Sequence, residues 1–184
     1  DGSCGCRFSG QFGTLPFGYD HKYVYSHFGY NLKATDLQAA IGVAQLDKLP
    51  SFVEARRRNW AFLRHALAPL EDFFLLPEAT EGTEPSWFGF LLTVRPEAPF
   101  SRDEAVAHLE AKGIQTRMLF AGNLTRHPCF DALRASGQGW RVAGELDVTD
   151  RIMRDTFWIG VYPGLDEARL TRMVEALESL CGRR

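Results

Sequence analysis

The sequence predicts an α/β fold of the α+β kind, a small sheet packed with helices. Two helix-start signatures, Thr35 with Gln38 and Ser101 with Glu104, are each followed by apolar residues at helical spacing. Short apolar runs at 73–76, 86–94, 114–120 and 157–163 are bounded by proline or glycine and read as strands. Helices and strands are interspersed along the chain, which gives a mixed layer architecture. The expected division is a loop extension over 1–35, long helices over 36–70 and a small α/β domain over 71–184.

Residues 1–24 carry Gly2, Gly5, Gly10, Gly13, Gly18 and Pro16 among interleaved aromatics, a composition that makes a loop and no regular element. Phe8, Phe12, Phe17, Tyr19, Tyr23 and Tyr25 need something to bury against, and nothing local supplies it. The stretch 25–44, YSHFGYNLKATDLQAAIGVA, then turns from an irregular aromatic segment into a helix. Asn31 and Lys33 stand just before that start, so the loop reads as one that presents side chains to a ligand. In the capping box each side chain satisfies the other's orphan backbone N–H, which fixes the helix start at Thr35. Leu37, Ala40, Ile41 and Ala44 form one apolar face, and the small residues Ala39, Ala40, Gly42 and Ala44 allow another backbone to approach.

Pro50 restarts the helix, because proline fits the first turn, and Phe52, Trp60, Leu63 and Leu67 give the new segment its apolar side. Arg56, Arg57 and Arg58 read as a solvated or interface face. EATEGTEP is a surface loop between the first two strands. The helix opened by Ser101 buries Ala105, Val106 and Leu109 and ends at Gly113, where a left-handed residue is wanted. The strand after it runs into AGNLTRHP, where Asn123, Thr125 and Arg126 lie near Arg117. Guanidinium groups take phosphate or carboxylate bidentately. The loop is therefore either a nucleotide or sugar-phosphate pocket or ordinary polarity at a turn. His127, before a proline, reads as structural. Residues 131–149 read as an irregular connection around Trp140. Asp166 caps a terminal helix whose apolar face is Leu170, Met173, Val174, Leu177 and Leu180.

With 45% hydrophobic and 24% charged residues and a formal net charge of −2, the chain can bury a core and lacks the basic excess of a nucleic-acid binder. No apolar run reaches the roughly 18 residues of a membrane span, so the expectation is a cytoplasmic protein with no membrane or nucleic-acid partner. Cys4, Cys6, Cys129 and Cys181 form no disulfide framework. Cys4 and Cys6 are either loop thiols or part of a metal or iron–sulfur site with its other ligands elsewhere. No lysine has a Schiff-base context, and the five histidines do not pair at ligand spacing. No self-contained active site is therefore expected.

The segment GYNLKATDLQAAIGVAQLDKL resembles the G-Y-N-x-[RK]-x-x-x-x-Q-A-A-x-G-x-x-Q-L pattern of the DegT/DnrJ/EryC1/StrS family. Within it, LPFGYDHKYVYSHFGYNLKATD, PSWFGFLLTVRPEAPFSR, TRMLFAGNLTRHP and TFWIGVYPGL are most similar to the CDP-4-keto-6-deoxyglucose 3-dehydrase branch of lipopolysaccharide biosynthesis. The resemblance implies the C-terminal part of a fold-type-I pyridoxal-phosphate enzyme, inactive alone and homodimeric as a whole. It implies a pyridoxamine or pyridoxal 5′-phosphate cofactor, a catalytic histidine upstream in place of the family's lysine, and a [2Fe–2S] cluster fed by an iron–sulfur flavin reductase. The reaction would remove the C3 hydroxyl of a CDP-linked 4-keto-6-deoxyhexose on the way to an O-antigen dideoxysugar. Carried over residue by residue, Asn31 reaches the neighbouring subunit's cofactor phosphate and Cys4 is the last of the four cluster cysteines. Lys33, Arg117, Asn123, Arg126 and Arg151 are candidates for substrate binding. Cys6 has no counterpart in the cluster pattern. The alternatives are a nucleotide-sugar aminotransferase, a cluster-free GDP-sugar 3-dehydratase and a non-catalytic dimerisation module.

Overall fold

The computed structural model describes residues 7–24, 30 and 32–182. It divides into two compact units, 1–44 and 45–184. In the first, residues 7–24 are an irregular segment closed by its own polar groups. Arg7 Nε donates to Asp20 Oδ2 at 2.9 Å, and that carboxylate also accepts from Lys22 N at the start of a 3₁₀ turn, His21–Tyr23. The Arg7 guanidinium holds the Asp20 carboxyl below its ordinary range. Gly18 adopts φ +78, and its Cβ would stand 2.8 Å from the Phe8 carbonyl oxygen, so the turn requires glycine. Phe8, Phe17, Tyr19 and Tyr23 stay exposed.

The capping box before the first helix forms as expected: Gln38 Oε1 accepts from Thr35 N at 2.9 Å, and Thr35 Oγ1 from Gln38 N at 3.3 Å. Helix α1 (Asp36–Leu46) has no buried residue. Its apolar side, including Leu37 and Ile41, faces outward.

The second unit is organised on a four-stranded antiparallel sheet, in the order β1 (Phe74–Leu75), β2 (Gly89–Val94), β4 (Thr156–Gly160), β3 (Thr116–Met118). Helix α2 (Leu49–Ala66), with Pro50 in its first turn, α3 (Arg102–Ala111) and α6 (Glu167–Leu180) pack together and against the strands. Phe90, Leu92 and Val94 of β2 and Phe157 and Ile159 of β4 alternate onto the covered face. They meet Leu63, Leu67, Ala105, Leu109, Met173 and Leu177 there in one core. Ring pairs fill its ends: Trp60 stacks on Trp87 at 4.1 Å, and Phe74 meets Phe157 edge-on at 6.4 Å.

Local signals place the helix ends. Ser101 and Glu104 form both bonds of the capping box, Gly113 closes the end of α3 at φ +76, and Asp166 accepts from Arg169 N at 2.9 Å to start α6. Strand lengths and one connection need correction: β1 keeps only Phe74–Leu75 of 73–76, β2 starts at Gly89 and not at 86, and β4 runs Thr156–Gly160 and not to 163. Residues 131–149 hold two helical pieces, α4 (Asp131–Ser136), closed by Gly137 at φ +66, and the start of α5 (Asp147–Asp155). Both are short, and α5 begins at Leu146 without a side-chain cap, so neither carries the usual start signal. The strand expected over 114–120 keeps only Thr116–Met118, because Phe120 turns to φ +48 and takes the chain off the sheet edge.

Candidate functional site

The uncovered face of the sheet and the loop that leaves it hold the candidate residues of the second unit. Register puts Leu91, Trp158 and Arg117 in one cross-strand row, opposite in facing to the buried row Phe90, Ile159 and Thr116. The neighbouring row pairs Gly89 with Gly160. A Cβ at Gly89 would lie 2.6 Å from Trp158 Cε3, so the indole lies down on a position that only glycine allows. Trp158 Nε1 donates to the Met118 carbonyl at 3.1 Å, and Phe88 packs on the ring at 4.9 Å. The indole is thus pinned, and the face beside it is flat.

Around that floor opens a cleft of about 730 Å³ that reaches from β3 to α6, lined among others by Gln115, Arg117, Trp158, Tyr162, Arg169 and Arg172. The Tyr162 ring passes close over Gly164, where a Cβ would stand 3.0 Å from Cε2. Arg117 Nη1 donates to the Thr116 carbonyl at 2.8 Å and Arg172 Nη2 to the Lys112 carbonyl at 2.7 Å, while Arg169 pairs with Asp166. Glu110 at the end of α3 accepts from Thr116 N at 2.6 Å and Oγ1 at 2.9 Å, and these bonds hold its carboxyl below the ordinary 4.5. Three cations and two stackable rings therefore share one opening.

The loop after β3 is a different construction. Asn123 is 3% exposed and its amide is fully engaged. Nδ2 donates to Asp150 Oδ1 at 2.6 Å, while Oδ1 accepts from Thr125 N at 3.1 Å and Thr125 Oγ1 at 2.6 Å. Arg126 donates to the other oxygen of Asp150. His127 Nε2 lies 2.7 Å from the Ala121 carbonyl, closing the loop on itself. Gly122, at φ +60, presses on Met153 of α5, where a Cβ would meet Cγ at 2.5 Å. This knot presents Phe120 and Leu124 to solvent, the former 77% exposed.

The candidate residues thus fall in separate places. Arg117 lies in the cleft, Asn123 and Arg126 belong to the knot, Arg151 is exposed on α5, and Lys33 is exposed ahead of α1. Asn31, Cys4 and Cys6 lie outside the described residues. The sequence reading missed Asp150, Trp158, Tyr162, Arg169 and Arg172. Asp150 lies 27 residues from Asn123, and the others are brought beside Arg117 by strand pairing and by α6, so no short segment announces them.

Among the described residues no group of three or more His, Cys, Asp and Glu side chains could hold a metal. Lys22, Lys33, Lys48 and Lys112 are all exposed, so none offers an amine in a dry pocket.

The model of the DegT/DnrJ/EryC1/StrS aminotransferase family matches residues 6–178. The lipopolysaccharide biosynthesis protein RfbH of Salmonella typhimurium is 50% identical over 182 residues, 99% of this chain and 40% of that protein. The dTDP-4-dehydro-2,6-dideoxy-D-glucose 3-dehydratase of Saccharopolyspora spinosa is 49% identical over 177 residues, 96% of this chain and 37% of that one. Among solved structures, E. coli GDP-4-keto-6-deoxy-D-mannose-3-dehydratase with bound hydrated PLP superposes with a TM-score of 0.74 at 24% identity. That match covers 85% of this chain and 38% of the other, and establishes the shared fold. The chain spans about two fifths of the length of the curated relatives it matches, 40% and 37%.

Proposed function

The chain belongs to the DegT/DnrJ/EryC1/StrS aminotransferase family, and from that premise we propose that it is the C-terminal portion of a nucleotide-sugar 3-dehydratase. The single observation that carries this is identity near one half, across almost the whole chain, with a lipopolysaccharide biosynthesis protein and with a 3-dehydratase. The substrate we assign is a CDP-linked 4-keto-6-deoxyhexose that loses its C3 hydroxyl in O-antigen dideoxysugar synthesis.

Bound pyridoxamine 5′-phosphate would supply the amine and electron sink for this chemistry, and a [2Fe–2S] cluster would supply single electrons from a reductase partner. The chain's own share is binding and shaping. Asn31 would hold the phosphate of the neighbouring subunit's cofactor in a homodimer, and Cys4 would be one ligand of the cluster. Arg117 offers a cation to the substrate's anionic half, with Arg151 on α5 as a further donor, and Lys33 is a separate candidate for substrate binding. Asn123 and Arg126 set the course of the loop that carries Phe120. The working location is the cytoplasm.

An aminotransferase is the second reading, favoured by the description of the family itself. The two differ in product. Full-length protein, supplied with cofactor, reductase and the CDP-linked keto-sugar, is expected to give a sugar without its C3 oxygen. A sugar that keeps that oxygen and gains an amine at C4 would transfer the assignment to the aminotransferases. Iron analysis of Cys4→Ser separately tests the cluster: iron falls with the variant if Cys4 is a ligand, and stays level if it is not.

A further inference from the structure

The cleft around Arg117 is larger than a phosphate needs and carries more cations than one carboxylate would call for. Its volume of about 730 Å³ lies inside the roughly 300–1,000 Å³ usual for small-molecule sites. Arg117, Arg169 and Arg172 converge on it from β3 and α6, in a chain whose formal net charge is −2. Arg117 and Arg172 each donate from one terminal nitrogen to a backbone carbonyl, and Arg169 bonds Asp166 through Nη1. The other terminal nitrogen of each has no protein partner among the described residues and can take an anion.

Among the described residues no acidic residue lines the cleft, and the two acids next to its arginines are already engaged. Glu110 is bound by Thr116 N and Oγ1, and Asp166 accepts from the backbone at the start of α6. Beside the cations lies a surface suited to a planar ring. The Trp158 indole is held flat over Gly89, Gly160 adds no side chain, and Tyr162 stands at the edge. A base stacked on such rings is held without demand for one base identity.

We propose that this cleft binds the nucleoside diphosphate half of the substrate, with the base against Trp158 and Tyr162 and the diphosphate among Arg117, Arg169 and Arg172. The assignment rests on the nucleotide-sugar reading and adds a location to it. The same chemistry could come from a free nucleoside diphosphate at a separate site, and competition separates the two sources.

The test is titration calorimetry of CDP into the full-length protein, which requires no turnover and so stays readable even if dehydration is not observed. Removing two guanidiniums in Arg169→Gln/Arg172→Gln is expected to weaken CDP about a hundredfold, roughly tenfold for each charged donor. The melting temperature, read in parallel, is expected to hold, since both side chains are exposed. Arg117→Gln is expected to give the tenfold loss alone, and the keto-sugar substrate is expected to exclude CDP. CDP affinity within about twofold of the parent in the double variant would overturn the site. Simultaneous binding of CDP and substrate would overturn its assignment to the substrate.

Discussion

Asn123 directs its amide into the fold and Arg126 ties its guanidinium to Asp150 beside it, whereas Arg117, Arg169 and Arg172 stand at the mouth of a cleft. The knot is closed: every polar atom of the Asn123 amide has a partner, and both oxygens of Asp150 are taken. The cleft is open: its guanidiniums lean on backbone carbonyls and a surface aspartate and leave donors over. Polar residues of one chemical type thus do two jobs: the Asn123 amide is satisfied inside the chain, while Arg117, Arg169 and Arg172 each keep one terminal nitrogen beyond the partner they have. A buried polar group must be satisfied internally. An exposed one can wait for a ligand.

Substitutions can break this contrast or sharpen it. The largest effect is expected from Asp150→Ala, which strips the buried Asn123 amide and Arg126 of their acceptor together. Stability in chemical denaturation should fall by about 2–3 kcal/mol, with CDP affinity unchanged once folded. A loss of CDP affinity at undiminished stability would make the knot a binding element and erase the distinction. Gly122→Ala comes next, at about 2 kcal/mol, because φ +60 disfavours a side chain and Met153 occupies the space. Denaturation should find this loss with little change in CDP binding.

On the cleft side the expected pattern reverses. Gly89→Ala drives a methyl group into the Trp158 ring and should cost only about 1 kcal/mol, while tryptophan fluorescence shifts and CDP affinity drops as the flat floor is lost. Glu110 gives the smallest effect, visible only in acid. Its folded-state carboxyl titrates below the ordinary 4.5 because Thr116 donates to the charged form. Its stabilisation is therefore complete above that value and disappears as pH falls through the lower folded one. Glu110→Gln should flatten the stability profile in that acid window, measured by melting temperature against pH. A profile with unaltered slope would detach Glu110 from Thr116.

How far the sequence could be read follows the same line between local and distant partners. The boxes at Thr35 and Ser101, the proline at 50, the glycine at 113 and the cap at Asp166 each act within a turn, and each produced its helix end in place. The strands were visible as apolar runs, but their lengths were not, since the end of β3 depends on Phe120 turning to φ +48. Helices α4 and α5 lacked a start signal. At the candidate site, Arg117, Asn123 and Arg126 stood out as chemistry near one another in sequence. Their separation into cleft and knot depends on Asp150, 27 residues from Asn123, and on the pairing of Arg117 with Trp158. Neither is written in any short segment. Arg169 and Arg172 lie off the apolar face of the terminal helix, and only the fold sets them on one cleft with Arg117.

The division between the two regions is tested most directly by measuring CDP affinity and unfolding free energy side by side on Asn123→Ala and Arg169→Gln of the full-length protein. Asn123→Ala, which removes a buried amide with three hydrogen bonds, is expected to lose stability and keep its CDP affinity; Arg169→Gln is expected to keep its stability and bind CDP about tenfold more weakly. The opposite pairing, with CDP binding lost at position 123 and intact at 169, would contradict the account.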